Sequence, residues 1–174
     1  MIEIKDSKSY HSDKIKSEKE IIAIVSDLKK QGKKVGLCVG GFDLLHPGHM
    51  THLRFAKKLC DFLVIGVTSD KFNAQRKGDG RPIYNDLLRT FSLSQLESVD
   101  FVFVSNYYLA IEVIGAIKPS FYIKGPDYIG KSDSEIDAER QEIKRVGGDI
   151  KYTWDEKLAT TEIIRYIQGE VKKV

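Results

Sequence analysis

Apolar residues along the chain fall into two alternating kinds of pattern. Ser17 followed by Glu20 forms a capping box, and Ile21, Ile22, Val25 and Leu28 then recur at helical spacing until Gly32. Val35 to Val39 is a short apolar run of the kind found in strands buried on both faces. A glycine-rich turn, Gly40 to His49, leads into a helix carrying Leu53, Ala56, Leu59 and Cys60 inward. Phe62 to Val67 predicts a second strand, and Lys71 to Arg81 reads as a polar loop. Beyond Pro82 and Asn85, Leu87, Leu88, Phe91, Leu93 and Leu96 predict a helix, and Phe101 to Val104 a third strand.

Leu109 to Ile117 suits a further helix, ended by Pro119, and Phe121 to Ile123 a fourth strand running into Lys124-Gly125-Pro126-Asp127-Tyr128. Ser134 with Asp137 starts a helix that Gly147-Gly148 stops. Ile150 and Tyr152 mark a fifth strand, and Thr160 or Thr161 caps a last helix with Ile163, Ile164, Ile167 and Val171 on one side. Parallel crossovers need about a dozen residues and usually spend them on a helix, so this alternation implies a parallel sheet covered on both faces. Residues 1–16 lack a period and read as a polar lead-in; 17–174 is expected to form one domain.

Composition narrows the class without naming a function. The 174 residues are 41% apolar and 30% charged, with a net charge of +3. A weak balance of scattered charge lacks the basic stripe of a nucleic-acid binder. No apolar run approaches the ~20 residues of a membrane span, and the N-terminus lacks the apolar core of a secretory signal. Two cysteines, Cys38 and Cys60, are too few for a disulfide scaffold. A cytoplasmic protein that binds neither nucleic acid nor membrane is expected.

The informative segment is Gly40 to His49, between a strand and a helix, where open α/β sheets bind ligands. It is neither a dinucleotide fingerprint nor a phosphate loop ending in Lys-Ser/Thr. Pro47 suits the first helical position, and Gly48 lets an anion approach the backbone. Free N–H groups and the positive dipole end favour phosphate. His46 and His49 can both donate to its oxygens. His46, His49 and His52 are also a formal metal triad, although Pro-Gly between the first two is unusual for a ligand helix. Asp43 could instead form a local turn, Gly125-Pro126-Asp127 reads as a turn, and Arg76, Lys77 and Arg81 suit either a solvated loop or one closing over phosphates.

Gly40-Gly41-Phe42-Asp43-Leu44-Leu45-His46-Pro47-Gly48-His49 resembles the G-x-F-D-x-x-H-x-G-H signature of the cytidylyltransferase-like nucleotidyltransferases, ungapped and correctly placed. Within that superfamily the chain looks most like the adenylyltransferase domain of ADP-heptose synthases and their freestanding relatives, over roughly Ser17 to the last helix. Gly80-Arg81-Pro82, Arg89, Lys124 to Tyr128, Gly147-Gly148 and Ala159-Thr160-Thr161 share in the likeness. The resemblance implies a Rossmann-like α/β fold with a five-stranded parallel sheet and helices on both faces. It further implies transfer of a nucleotidyl group from ATP or CTP to a sugar phosphate such as heptose 1-phosphate, with Mg²⁺, in nucleotide-sugar biosynthesis.

On the same ground His46, His49 and Lys124 would be catalytic. Gly41, Phe42, Asp43, Gly48, Lys77, Arg81, Gly125, Asp127, Thr160 and Thr161 would bind the nucleotide. Asp43 would orient the turn or the phosphate-binding lysine. Asp127 would order Lys124 or help hold Mg²⁺. The Arg-Thr-x-Gly-x-Ser-Thr segment of glycerol- and choline-phosphate cytidylyltransferases is replaced here by Trp154 to Thr161, without the arginine and with Ala159 in place of a serine. That departure favours the sugar-phosphate branch over the alternatives of a polyol- or amino-alcohol-phosphate cytidylyltransferase and of a silent nucleotide-binding module. No sugar-kinase domain is attached, so another protein is expected to supply the phosphorylated acceptor. A homodimer is expected, with Phe101 to Tyr108 as one candidate surface.

Overall fold

The computed structural model describes residues 7–78, 80–154 and 160–169. Five parallel strands, β1 (Val35–Gly40), β2 (Phe62–Thr68), β3 (Phe101–Ser105), β4 (Phe121–Lys124) and β5 (Asp149–Tyr152), form one sheet in the order β3-β2-β1-β4-β5. Helices α1 (Glu18–Lys30), α2 (Pro47–Lys57), α3 (Asp70–Lys77), α4 (Asp86–Ser94), α5 (Ala110–Ile117), α6 (Ser134–Arg145) and α7 (Thr160–Ile167) intervene, with a 3-10 turn at Pro126–Tyr128. The α/β Rossmann-like expectation is met.

Alternation along each strand sends neighbouring side chains to opposite faces. Leu37, Val64, Phe103 and Tyr122 join Ile21 and Val25 of α1, Val113 and Ile114 of α5 and Ile143 of α6 in one core. Cys38, Ile65, Val102 and Ile123 join Leu53 and Ala56 of α2 and Leu93 of α4 in the other. The chain runs outward from β1 through β2 to β3, then returns to β4 on β1's other side. The strand order therefore reverses between β1 and β4, and the crevice beyond their carboxyl ends is where such sheets bind ligands.

Several elements differ from the sequence reading. The polar stretch 71–81 is helical from Asp70 to Lys77. The helix folds because Arg89 reaches it at Asp70 and Asn73 buries against Gly41, contacts that no local period announces. The helix after the glycine-rich turn stops at Lys57, leaving Leu59 40% exposed rather than inward, and Cys60 outside it. Asp133, not Ser134, caps α6, accepting from the Ile136 amide at 2.9 Å. Ile22 and Ile167 are exposed rather than inward, whereas Ile163 and Ile164 are half-buried. Val171 and Ala159 lie outside the described residues.

The lead-in is also tied down. Ile15 bridges Val102 in parallel, with Lys16 N donating to Val102 O at 2.9 Å and Val102 N to Lys14 O at 2.9 Å. This covers the outer edge of β3 at Val102, a device that discourages edge pairing there.

Candidate active site

β1 ends at Gly40 and the chain turns sharply into α2. Phe42 adopts a positive φ of 45°, and His46, extended at φ −141° and ψ 166°, is the N-cap. Pro47 takes the first helical position as the sequence implies. His46 Nδ1 accepts a long hydrogen bond, 3.4 Å, from the His49 amide. With Nδ1 accepting, a neutral His46 carries its proton on Nε2. The rings of His46 and His49 stack with centroids 3.8 Å apart and 24° between planes, and Phe42 meets His49 edge-on at 5.2 Å.

The protein satisfies those rings only in part, the Leu44 backbone being a hydrogen-bond partner of the His49 ring. His46 is 4% exposed, and its Nε2, like Nδ1 of His49, is buried with no hydrogen-bond partner among the described residues. Such orphans call for an explanation, and a bound ligand is one. Burial depresses both pKa values; for His49 burial, then His46 and His52, bring it down to about 3. Near neutral pH two uncharged rings can therefore stack and still offer N–H donors.

The turn is braced from behind. Arg89 on α4, 1% exposed, donates to Gly41 O at 2.5 Å, to Asp70 Oδ1 at 2.8 Å and to Tyr84 O at 3.0 Å. Asp43, 4% exposed, accepts from Arg81 Nε and, at 2.5 Å, from the Ile83 amide. Asp43 thus fixes an arginine rather than the phosphate-binding lysine suggested by the sequence. A Cβ at Gly41 would lie 3.0 Å from Asn73 Nδ2, so a side chain there would push the Asn73 amide aside by a few tenths of an ångström.

Across the crevice, Lys124 ends β4. Its Nζ lies 2.5 Å from Glu139 Oε2 of α6 and 3.9 Å from the centre of the Tyr128 ring. Burial lowers the Lys124 pKa and the Glu139 carboxylate partly restores it. The Tyr122 hydroxyl, raised well above its usual range chiefly by burial, also bonds Glu139. Sequence reasoning offered Asp127 either to order Lys124 or to help hold Mg²⁺; the ion pair to Lys124 comes from Glu139. His52 Nδ1 lies 2.8 Å from Thr153 Oγ1, and the Thr153 amide donates to Lys124 O at 3.0 Å, tying α2 to the ends of β4 and β5. With two rings stacked and the third turned to Thr153, the three histidines do not form a metal triad. Among the described residues no cluster of three or more His, Cys, Asp or Glu is placed to hold a metal ion.

Three adjoining cavities meet at Gly41 and Tyr128. One, about 290 Å³, brings His46 and His49 together with Phe42, Asp43, Lys77, Arg81, Asp127, Thr160 and Thr161. A second, about 230 Å³, is lined by Gly48, His52, Lys124, Gly125 and Asp127. The third, about 300 Å³, runs from Lys124 and Lys77 toward α6. Every residue given a catalytic or nucleotide-binding role in the sequence lies on one of these walls. Arg89 and Tyr128 enter the resemblance without a role, and Asn73 and Glu139 were missed. A lone arginine among Leu87, Leu88 and Phe91 was a usable signal for Arg89; Glu139, on a helix rich in charge, gave none.

A switch-point crevice with a histidine-capped helix start, orphaned imidazole nitrogens and lysines opposite defines an α/β protein with a site suited to an anionic ligand. The profile of the cytidylyltransferase-like family matches residues 37–166, and the chain belongs to that family of nucleotidyltransferases. The "Bifunctional protein HldE" of Paramagnetospirillum magneticum is 38% identical over 141 residues, 81% of this chain and 26% of that protein. That of Aliarcobacter butzleri is 35% identical over 167 residues, 95% of this chain and 33% of that protein. The chain therefore spans a quarter to a third of the length of these relatives.

Among solved structures, the lipopolysaccharide core biosynthesis protein from Thermoplasma volcanium matches with a TM-score of 0.58 at 26% identity, over 74% of this chain and 100% of that one. Pantoate-beta-alanine ligase from Francisella tularensis, TM-score 0.59 at 16% identity over 88% of this chain and 76% of that one, shares the fold. Among the described residues no helix is long and apolar enough to cross a membrane.

Proposed function

We propose that the protein transfers a nucleotidyl group from ATP or CTP to a sugar phosphate such as heptose 1-phosphate, giving an NDP-sugar and pyrophosphate. The observation that carries this reading is the stacked His46–His49 pair, with nitrogens unpartnered among the described residues, in a cavity at the start of α2. The likeness to HldE over part of its length, and to a lipopolysaccharide core biosynthesis protein, supports a sugar phosphate as acceptor.

An acceptor phosphate oxygen attacks the α-phosphorus in line; that P–O bond forms as the bond to the β-phosphate oxygen breaks, and pyrophosphate leaves with the electron pair. A phosphate monoester is already nucleophilic near neutral pH, so no general base is required. His46 Nε2–H and the His49 ring donate to the triphosphate as charge builds, and preorganised donors of this kind are worth most in the transition state. Lys124 neutralises oxygens between donor and acceptor. Lys77 and Arg81, with the Thr160 and Thr161 hydroxyls, hold the β- and γ-phosphates, while the nucleoside occupies the cavity of Gly48, Gly125 and Asp127.

Mg²⁺ usually takes one or two carboxylates and fills its shell with phosphate oxygens and water. Asp127, which lines both the histidine cavity and the cavity of Gly48 and Gly125, is the carboxylate that would hold it. When bound, the ion would withdraw charge from the triphosphate. Neither Cys38 nor Cys60 is in a disulfide, which fits a reducing cytoplasm, and the protein acts as a homodimer.

A matrix of four NTPs against sugar 1-phosphates, glycerol 3-phosphate and choline phosphate, followed by pyrophosphate release with Mg²⁺, tests this. Release with ATP or CTP and a sugar phosphate is expected. Nucleotide binding by calorimetry with no release for any pair would leave only a silent binding module.

A further inference from the structure

The third cavity, about 300 Å³, is left over once the nucleotide is placed. It lies between α3 and α6, beside Tyr107 and Tyr108, and shares Lys77 with the histidine cavity and Lys124 with the nucleoside cavity. Its wall mixes carboxylates, cations and phenol rings. Sugar hydroxyls both donate and accept, and such mixed walls suit them better than the apolar lining usual for drug-like ligands.

Asn73 marks the junction. It is 2% exposed, its Nδ2 has no partner among the described residues, and it lines both this cavity and that of the histidines. A buried amide left unpaired costs stability, and here it lies against Gly41, the residue from which the triphosphate site begins. On the far side Arg76 reaches from α3 to α6: its Nη2 is 2.7 Å from Glu135 Oε2, its Nη1 3.3 Å from Tyr108 O, and its guanidinium 5.3 Å from the centre of the Tyr108 ring. One arginine thus spans the cavity and holds Glu135, whose carboxylate has further lone pairs for hydroxyls.

Resting on the nucleotidyl-transfer reading, we propose that this cavity receives the acceptor sugar phosphate. Its ring lies between α3 and α6, and its phosphate sits at the junction, where Asn73 Nδ2 donates to a phosphate oxygen between Lys77 and Lys124. That places the attacking oxygen on the side of the histidine cavity where the α-phosphate is exposed to it. Asn73 is then a specificity residue for the acceptor.

The test uses the whole chain, heptose 1-phosphate as the probe, and the Asn73→Asp variant, which keeps the size of the side chain but replaces the donor with a charged acceptor. The heptose 1-phosphate KM should rise at least tenfold, and at least threefold more than the NTP KM or the NTP dissociation constant measured without acceptor, since Asn73 also borders the histidine cavity. Glu135→Gln, at an exposed position that tolerates change, should raise the same KM at least threefold with the NTP constants unmoved, and serves if Asn73→Asp fails to fold. An unchanged acceptor KM in both variants, or an NTP constant that rises in parallel, overturns the assignment while leaving nucleotidyl transfer intact. Wild-type protein that releases no pyrophosphate with any sugar phosphate overturns the transfer reading itself, and the acceptor site with it.

Discussion

Arg89→Met is the most informative structural perturbation, because one buried side chain ties the phosphate turn to two helices. The guanidinium is fully buried and spans Gly41 O, Asp70 and Tyr84 O at 2.5, 2.8 and 3.0 Å. Methionine preserves most of the stem's packing but removes all three bonds. Asp70, 27% exposed, can recover some hydration, whereas the carbonyls behind the turn cannot do so fully. Breaking one partner of a buried pair costs about 3–5 kcal/mol. At about 2–4 °C per kcal/mol for a chain of this size, the melting temperature should fall by roughly 6–20 °C. Urea denaturation should give the same loss with an unchanged m-value. Asp70→Asn alone should cost less, and the double variant should show coupling between the two sites. A loss under about 1 kcal/mol for Arg89→Met, or strict additivity with Asp70→Asn, would refute the role assigned to this arginine.

The depressed histidines have a pH signature. The His49 pKa stands at about 3 against 6.5 in an unfolded chain, so as pH falls below 6.5 the unfolded state takes up the proton first and the folded state loses stability. Between about pH 6.5 and 4.5, above the ordinary carboxylate range, the slope should be shallower in His49→Asn, as read by urea midpoints; equal slopes would remove the burial argument. Glu139→Gln strips Lys124 of its counterion and leaves burial unopposed, so the Lys124 pKa falls further and the alkaline limb of turnover moves to lower pH. A pH–rate profile of the variant that overlays the wild type would show that Glu139 does not tune Lys124.

The sheet was readable because each buried strand is a short apolar run and each covering helix keeps its period, from Ile21 and Val25 to Val113 and Ile114. The histidine turn was readable because its residues are local: Pro47, Gly48 and the cap at His46 act on their immediate neighbours. What escaped is non-local. Helix α3 has few apolar positions, and its place rests on Asp70 meeting Arg89 and Asn73 meeting Gly41, 19 and 32 residues away in sequence. Glu139 holds Lys124 from 15 residues downstream, whereas Asp127 was nearer and carried the same charge. The lead-in Lys14 to Lys16 is too short for a period, yet it pairs with Val102 across 87 residues.

The central claim, that the His46–His49 pair stabilises charge on a triphosphate during transfer, is met most directly by single-turnover pyrophosphate release. His46→Ala and His49→Ala should each slow release by about a hundredfold to a thousandfold, the usual effect of losing one preorganised donor. Their NTP dissociation constants should change by far less. Near wild-type turnover in both variants would contradict the account.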